Sequence, residues 1–315
     1  MAFDIHVSGN GADQAIVLQD TTSGTYAEVY CVGALLNKFA LPFQGNPFNV
    51  VEGFSSPAEA LADITNGFKS AKLSPFTCRM NKGEYTFQEQ SYKIEKFYLP
   101  PHAIHGIIYD AVYTVTDTRA NDNEASVTLQ YQYTGTDKGF PFPYQVTVKW
   151  QLQAGNKLTV ATTLQHQNEQ AIPLADGWHP YFTLDVPVDA CSLYFTSDTQ
   201  LEFDETLIPT GKRLADNRFA NIPASLDGVF LDNCFEIDKH TAKPVCVYSS
   251  KNLKLTIAPD ASYPYFQIYT PPHRQSIAIE NLSAPPDAFN NKIALHYAEK
   301  NTPYQYTTTY IIETV

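Results

Sequence analysis

Hydrophobic residues in the middle of this chain recur at every second position, and that period admits few folds. Val127, Leu129, Tyr131 and Tyr133 alternate with Ser126, Thr128, Gln130 and Gln132. The alternation resumes at Val146, Val148, Trp150 and Leu152 after Gly135-Thr136-Asp137-Lys138-Gly139. It resumes again at Leu158, Val160, Thr162 and Leu164 after Ala154-Gly155-Asn156. A period of two puts alternate side chains on opposite faces of a strand, and Gly/Asn/Asp interruptions supply the turns, so an antiparallel meander with one buried face is predicted. Similar runs predict further strands at Ala15–Leu18, Tyr26–Val32, Val112–Thr116, Val245–Tyr248, Leu253–Ile257, Phe266–Tyr269, Ile277–Ile279 and Tyr304–Ile312.

Helical signals are sparse. Ser56-Pro57-Ala58-Glu59 reads as a capping box with proline at the first helical position, and Asn66-Gly67 as a stop, which predicts a short helix from Pro57 to Thr65. A second helical turn is expected at Asp287-Ala288-Phe289. No fixed-period repeat and no linker-like run divides the 315 residues, so a single domain spanning 1–315 is expected. That much strand with so little helix calls for two stacked sheets, an all-β fold.

Composition agrees and removes several functions. Charged residues are only 17%, whereas 20 Tyr and 19 Phe favour strand surfaces over helical ones. The net charge of −12, with no basic cluster beyond Lys212-Arg213, speaks against a nucleic-acid partner. That pair is read as a solvated turn. No run approaches the ~20 apolar residues of a membrane span, and the start Met1-Ala2-Phe3-Asp4-Ile5-His6 lacks a secretory pattern. Five scattered cysteines without Cys-x-x-Cys spacing suggest reduced thiols in a cytoplasmic protein, with no metal site. A monomer is expected, since neither a coiled coil nor an exposed apolar helix is apparent.

The chemistry must come from reactive residues in unusual settings. His179 stands between aromatics in Asp176-Gly177-Trp178-His179-Pro180-Tyr181-Phe182. Aromatic faces suit sugar C–H faces, and an imidazole exchanges protons near neutral pH. His105 precedes Gly106, which allows close backbone approach, and His102 is a weaker candidate of the same kind. Glu280 closes an alternating strand in Ser276-Ile277-Ala278-Ile279-Glu280-Asn281 and is a candidate base. Asp232 lies in a turn before Asn233-Cys234-Phe235, and Arg79 follows Pro75-Phe76-Thr77-Cys78. An arginine fork suits hydroxyl recognition. Taken singly, each has an equally simple structural reading as a turn, a core-edge histidine or an exposed strand end.

In their order along the chain these residues resemble the aldose 1-epimerase (galactose mutarotase-like) family. Gly177-Trp178-His179-Pro180-Tyr181-Phe182 is similar to the family's Gly-x-His-Pro-Tyr-Phe element, the most specific of the set. Pro75-Phe76-x-x-Arg79 before Gly83-Glu84-Tyr85-Thr86-Phe87, His105-Gly106, Asp232-x-x-Phe235 and Glu280 followed by Pro286-Asp287-Ala288-Phe289-Asn290 resemble its other elements. The likeness runs from about residue 15 to the C-terminus. It implies a large antiparallel β-sandwich, the galactose mutarotase-like supersandwich, with one or two short helices. It also implies an enzyme that interconverts the α and β anomers of a free aldose such as galactose or glucose, with no cofactor. By resemblance Glu280 is the base, His179 the acid, and His105 a second histidine near the ring oxygen. Arg79, Asp232, Trp178 and Tyr181 would contact the monosaccharide.

Two positions depart from the pattern. Cys78 stands where the family often has Asn, and Ile107 where it often has a second Gly. Both fall on the presumed pocket wall and bear on sugar preference. The rival readings are a hexose-6-phosphate mutarotase, with Arg274 and Lys72 as phosphate anchors, a non-catalytic carbohydrate-binding sandwich, and a polysaccharide lyase or hydrolase.

Overall fold

A computed structural model describes residues 1–238 and 245–315. The predicted meander is present with its register intact. Strands Glu124–Tyr133, Tyr144–Gln153 and Lys157–Gln165 pair antiparallel, with Val127 opposite Trp150 and Trp150 opposite Val160. Burial alternates strictly along Tyr144–Gln153. The turn after Gln153 places Gly155 and Asn156 at φ +80° and +52°, which glycine and asparagine tolerate best. Tyr304–Thr314 extends the meander on the Lys157–Gln165 edge, and Leu253–Pro259 continues it. Among the described residues this sheet has nine strands.

A second, eight-stranded sheet holds Asp232–Glu236, Tyr265–Tyr269, Ile277–Leu282, Gly177–His179 and Ala71–Leu73 as successive neighbours. The two sheets stack face to face. Trp150 of the first meets Trp178 of the second edge-on at 5.5 Å, Phe182 meets Tyr310 at 5.7 Å, and the Tyr310 hydroxyl donates to Asn281 Oδ1. Edge-to-face aromatic pairs add ~0.5–1.5 kcal/mol beyond their area burial. A five-stranded sheet, Phe3–Ser8 through Asn46–Asn49, joins the same apolar cluster, which runs from Phe3 to Ile312. The fold is therefore all-β and antiparallel, as the alternation required.

The helix covers Pro57–Asp63, slightly shorter than predicted. Ser56 Oγ accepts from the Glu59 N–H at 3.1 Å. The Glu59 carboxylate, however, turns back to the backbone N–H and hydroxyl of Ser55, one residue before the cap, so the box is offset. The second helical turn is Ala288–Asn291. Lys212 and Arg213 do not form a turn. They lie on the strand Pro209–Ala215, where Lys212 pairs with Glu202 and Arg213 with Glu236. Short polar edge strands of this kind lack the apolar alternation that reveals a strand.

Candidate active site

The eight-stranded sheet builds the site through its register. Cys234 lies opposite Gln267, and Gln267 opposite Glu280. Trp178 lies opposite Asn281, which brings His179, the next residue, alongside Glu280. Period two then assigns the faces. Cys234, Gln267, Glu280 and His179 form one row, while Phe235, Phe266, Asn281 and Trp178 form the neighbouring row on the other face. The first row lies on the cleft side, with Gln267, Glu280 and His179 in the cleft wall, and the second faces the stacked sheet.

His179 Nε2 is 3.3 Å from Glu280 Oε1, and both side chains are buried, at 6% and 2% exposure. Tyr181 stacks on His179 at 5.0 Å, because residues two apart share a face. The His105 ring approaches His179 edge-on at 4.8 Å and rests against Phe68 at 4.7 Å. Asp232 Oδ1 accepts from Gln267 Nε2 at 2.7 Å. Arg79, on the strand Arg79–Met80, lines the same cleft, and among the described residues its guanidinium makes no ion pair or hydrogen bond. The cleft encloses about 260 Å³. Phe97, Leu99 and Phe203 give its wall an apolar face.

His105 is reached through backbone that few residues adopt. Cys78 and His105 both sit at positive φ, +49° and +63°, and the His105 N–H donates to Cys78 O at 2.9 Å. Gly106 follows at φ +77°, and a Cβ there would stand 2.3 Å from Ser74 O. The close approach expected from the His-Gly pair is thus real. Strained non-glycine residues of this kind cluster at functional sites.

Burial dominates the electrostatics. Desolvation, with a smaller push from Asp232, holds the Glu280 carboxyl well above the usual carboxylate range. Desolvation lowers His179 to about 4. It also lowers His105 well below its ordinary value, helped by neighbouring His179 and Arg79. Asp232 is raised by burial against the opposing pull of Arg79.

The structure corrects several expectations. Trp178 does not line the cleft. It is 2% exposed on the opposite face, beneath Trp150 and against the Lys72 ammonium at 4.4 Å. Glu280 does not end its strand, which continues to Leu282, and it is buried rather than exposed. Asp232 opens a strand rather than sitting in a turn. His102 is buried outside the cleft, its Nδ1 accepting from the Lys82 N–H. Neither phosphate-anchor candidate reaches the site. Lys72 is fully buried in an ion pair with Asp176 at 2.5 Å, and Arg274 pairs with Asp189 at 2.7 Å. Gln267 joins the cleft wall opposite Glu280, and its only signal in the sequence is a lone amide within the aromatic and aliphatic run Tyr265-Phe266-Gln267-Ile268-Tyr269. Cys78, His105 and Glu280, distant in the chain, bring three potential metal-ligating atoms within 4.8 Å of one another.

The family model for aldose 1-epimerase matches residues 14–311. The chain belongs to the aldose 1-epimerase family. It is 25% identical over 239 residues to the uncharacterized protein YihR of Escherichia coli, a match covering 74% of this chain and 75% of that one. It is 24% identical over 213 residues to an aldose 1-epimerase of Streptococcus thermophilus, covering 65% of this chain and 59% of that enzyme. Among solved structures, a galactose mutarotase-like protein of Clostridium acetobutylicum superposes with a TM-score of 0.86 over 100% of this chain and 99% of that one, at 16% identity. A galactose 1-epimerase of Lactobacillus acidophilus gives 0.81 over 99% and 98%, also at 16% identity. These structural likenesses establish the galactose mutarotase-like fold.

Proposed function

We propose that this family member is an aldose 1-epimerase, a mutarotase acting on a free neutral aldose. The observation that carries the reading is the buried 3.3 Å contact between Glu280 and His179 in the wall of one cleft. Opening a cyclic hemiacetal needs a base at the anomeric hydroxyl and an acid at the ring oxygen, and only protons move. Glu280 takes the hydroxyl proton while His179 gives one to the ring oxygen, so the ring C–O bond breaks and a free aldehyde forms. The C1–C2 bond rotates. Closure on the other face runs the same transfers backward, Glu280 returning its proton to the carbonyl oxygen and His179 recovering its own from the ring hydroxyl.

The protonation states follow from burial. Without a sugar, desolvation favours the neutral pair, with the shared proton on Glu280 rather than on His179. The working arrangement, carboxylate plus imidazolium, carries the same number of protons and differs by one transfer along the existing contact. Arg79 and the polar hydroxyls of a bound sugar stabilise the charged arrangement. His105, with its imidazole held neutral, accepts or donates a hydrogen bond near the ring oxygen or a neighbouring hydroxyl. Asp232, steadied by Gln267, and Arg79 grip hydroxyls, and Tyr181 backs His179. Arg79 is the one Lys or Arg among the described cleft-lining residues, which favours a neutral sugar over a sugar phosphate dianion.

Glu280→Gln tests the assignment. The amide keeps the shape but cannot accept the proton, so polarimetric mutarotation of glucose or galactose should fall by about 10²–10⁴-fold. A rate near wild type would remove Glu280 as base. Calorimetric sugar binding by the wild-type chain without any acceleration of mutarotation would replace the enzyme reading with a carbohydrate-binding one.

A further inference from the structure

We propose that the cleft is also an inhibitory binding site for a thiophilic divalent cation of the zinc(II) class, held by Cys78 Sγ, His105 and Glu280. All three side chains are buried, and their donor atoms lie within 4.8 Å of one another. Cys78 Sγ is already 3.6 Å from Glu280 Oε2. Zinc bonds of about 2.3 Å to sulfur, ~2.0–2.1 Å to imidazole nitrogen and ~2.0–2.2 Å to oxygen put ligands about 3.5 Å apart in a tetrahedral frame. The thiol and carboxylate meet that spacing as they stand, and the imidazole needs a shift of only about 1 Å.

The donor set is selective. One sulfur, one nitrogen and one oxygen suit zinc rather than magnesium or calcium, which take oxygen alone. All three residues line the cleft, so a fourth position is left for water, as in three-ligand zinc sites. Charge balances too. With Cys78 as thiolate, Glu280 and Asp232 as carboxylates and Arg79 as a cation, the site carries about two negative charges to meet a dication. Binding replaces the Cys78 S–H bond with an S–Zn bond and the Glu280 O–H bond with an O–Zn bond, releasing both protons to solvent. Glu280 then holds the metal and can no longer accept a proton from a sugar. The binding stands independently of the epimerase reading; the inhibition rests on it.

Cobalt(II) reports the site directly. Titrated into the full chain, it should give a thiolate-to-metal charge-transfer band at one equivalent, displaced by zinc. Cys78→Ser should abolish the band and raise the zinc concentration needed for half-inhibition of mutarotation at least about tenfold. A chelator should restore zinc-inhibited activity and leave untreated enzyme unchanged. Should the serine variant fail to fold, His105→Gln asks the same question through loss of the tetrahedral cobalt spectrum. No charge-transfer band in the wild-type chain would overturn the proposal, as would a band that survives Cys78→Ser but is lost in Cys234→Ser. An intact band in a protein with no mutarotase activity even after chelation would sink the epimerase reading and leave the metal site standing.

Discussion

Individual side chains in the cleft give up stability for chemistry. Glu280 is raised by desolvation, so the folded state holds its proton more tightly than the unfolded chain does. Such a group stabilises the fold below its unfolded pKa of roughly 4.3, and that contribution is lost as pH rises toward the folded value. His179 behaves in the opposite sense. It is depressed from 6.5 to about 4, so its neutral form stabilises the fold above 6.5 and that stability drains away as pH falls between the two values. The shift corresponds to at most about 3 kcal/mol. Two outcomes follow for denaturant unfolding. Glu280→Gln should be more stable than wild type at pH 8, with the difference closing below about pH 4. His179→Gln should flatten the stability loss of the wild type between pH 6.5 and 4. A Glu280→Gln variant less stable than wild type at pH 8 would mean that the carboxylate is paired well enough to offset its burial.

Among the elements, the close approach at Gly106 sets the position of His105. Its φ of +77° and the 2.3 Å that would separate an added Cβ from Ser74 O leave no room for a side chain. Gly106→Ala should therefore cost about 1–3 kcal/mol in thermal or denaturant unfolding and move the His105 loop. Mutarotase activity should fall further than stability alone explains when assayed well below the melting temperature. An alanine variant with wild-type stability would show that the segment relaxes freely. This element was legible from the residues, because a His-Gly pair implies close backbone approach. The helix Pro57–Asp63 was legible for a similar reason, since Ser-Pro-x-Glu is a local signal. The strand Pro209–Ala215 was not, since nearly all of its residues are exposed and no apolar face imposes a period.

Across the molecule, the stacked sheets close over a buried charge pair that no local pattern announced. Lys72 and Asp176 are both fully buried. Lys72 also donates to Gly177 O, and Asp176 accepts from the Tyr263 hydroxyl, so the network ties the strand carrying His179 to its neighbours. Desolvation lowers Lys72 to about 8 despite its partner. Removing one member leaves the other as an unpaired buried charge. Lys72→Met should lose about 3–5 kcal/mol of unfolding free energy, and adding Asp176→Asn should recover part of it. Equal losses in the single and double variants would show that packing, not charge, dominates the cost.

The order of residues was enough to set the fold class, because a two-residue hydrophobic period can bury one face only as a strand. It also singled out residues that line one cleft, Arg79, His105, His179, Tyr181, Asp232 and Glu280, through Gly-x-His-Pro-Tyr-Phe and its companions. Alternation even contained the correction for Trp178: as an immediate neighbour of His179, it had to face the other way. Register across strands, by contrast, was settled by folding alone. Gln267 meets Glu280 across a hairpin, while Cys78 beside Glu280 and Lys72 beneath Trp178 join segments far apart in the chain. Burial follows from those contacts, and burial sets the proton affinities of Glu280 and His179. The residues were written in one dimension, but their pKa values and their meeting depend on which sheets stack.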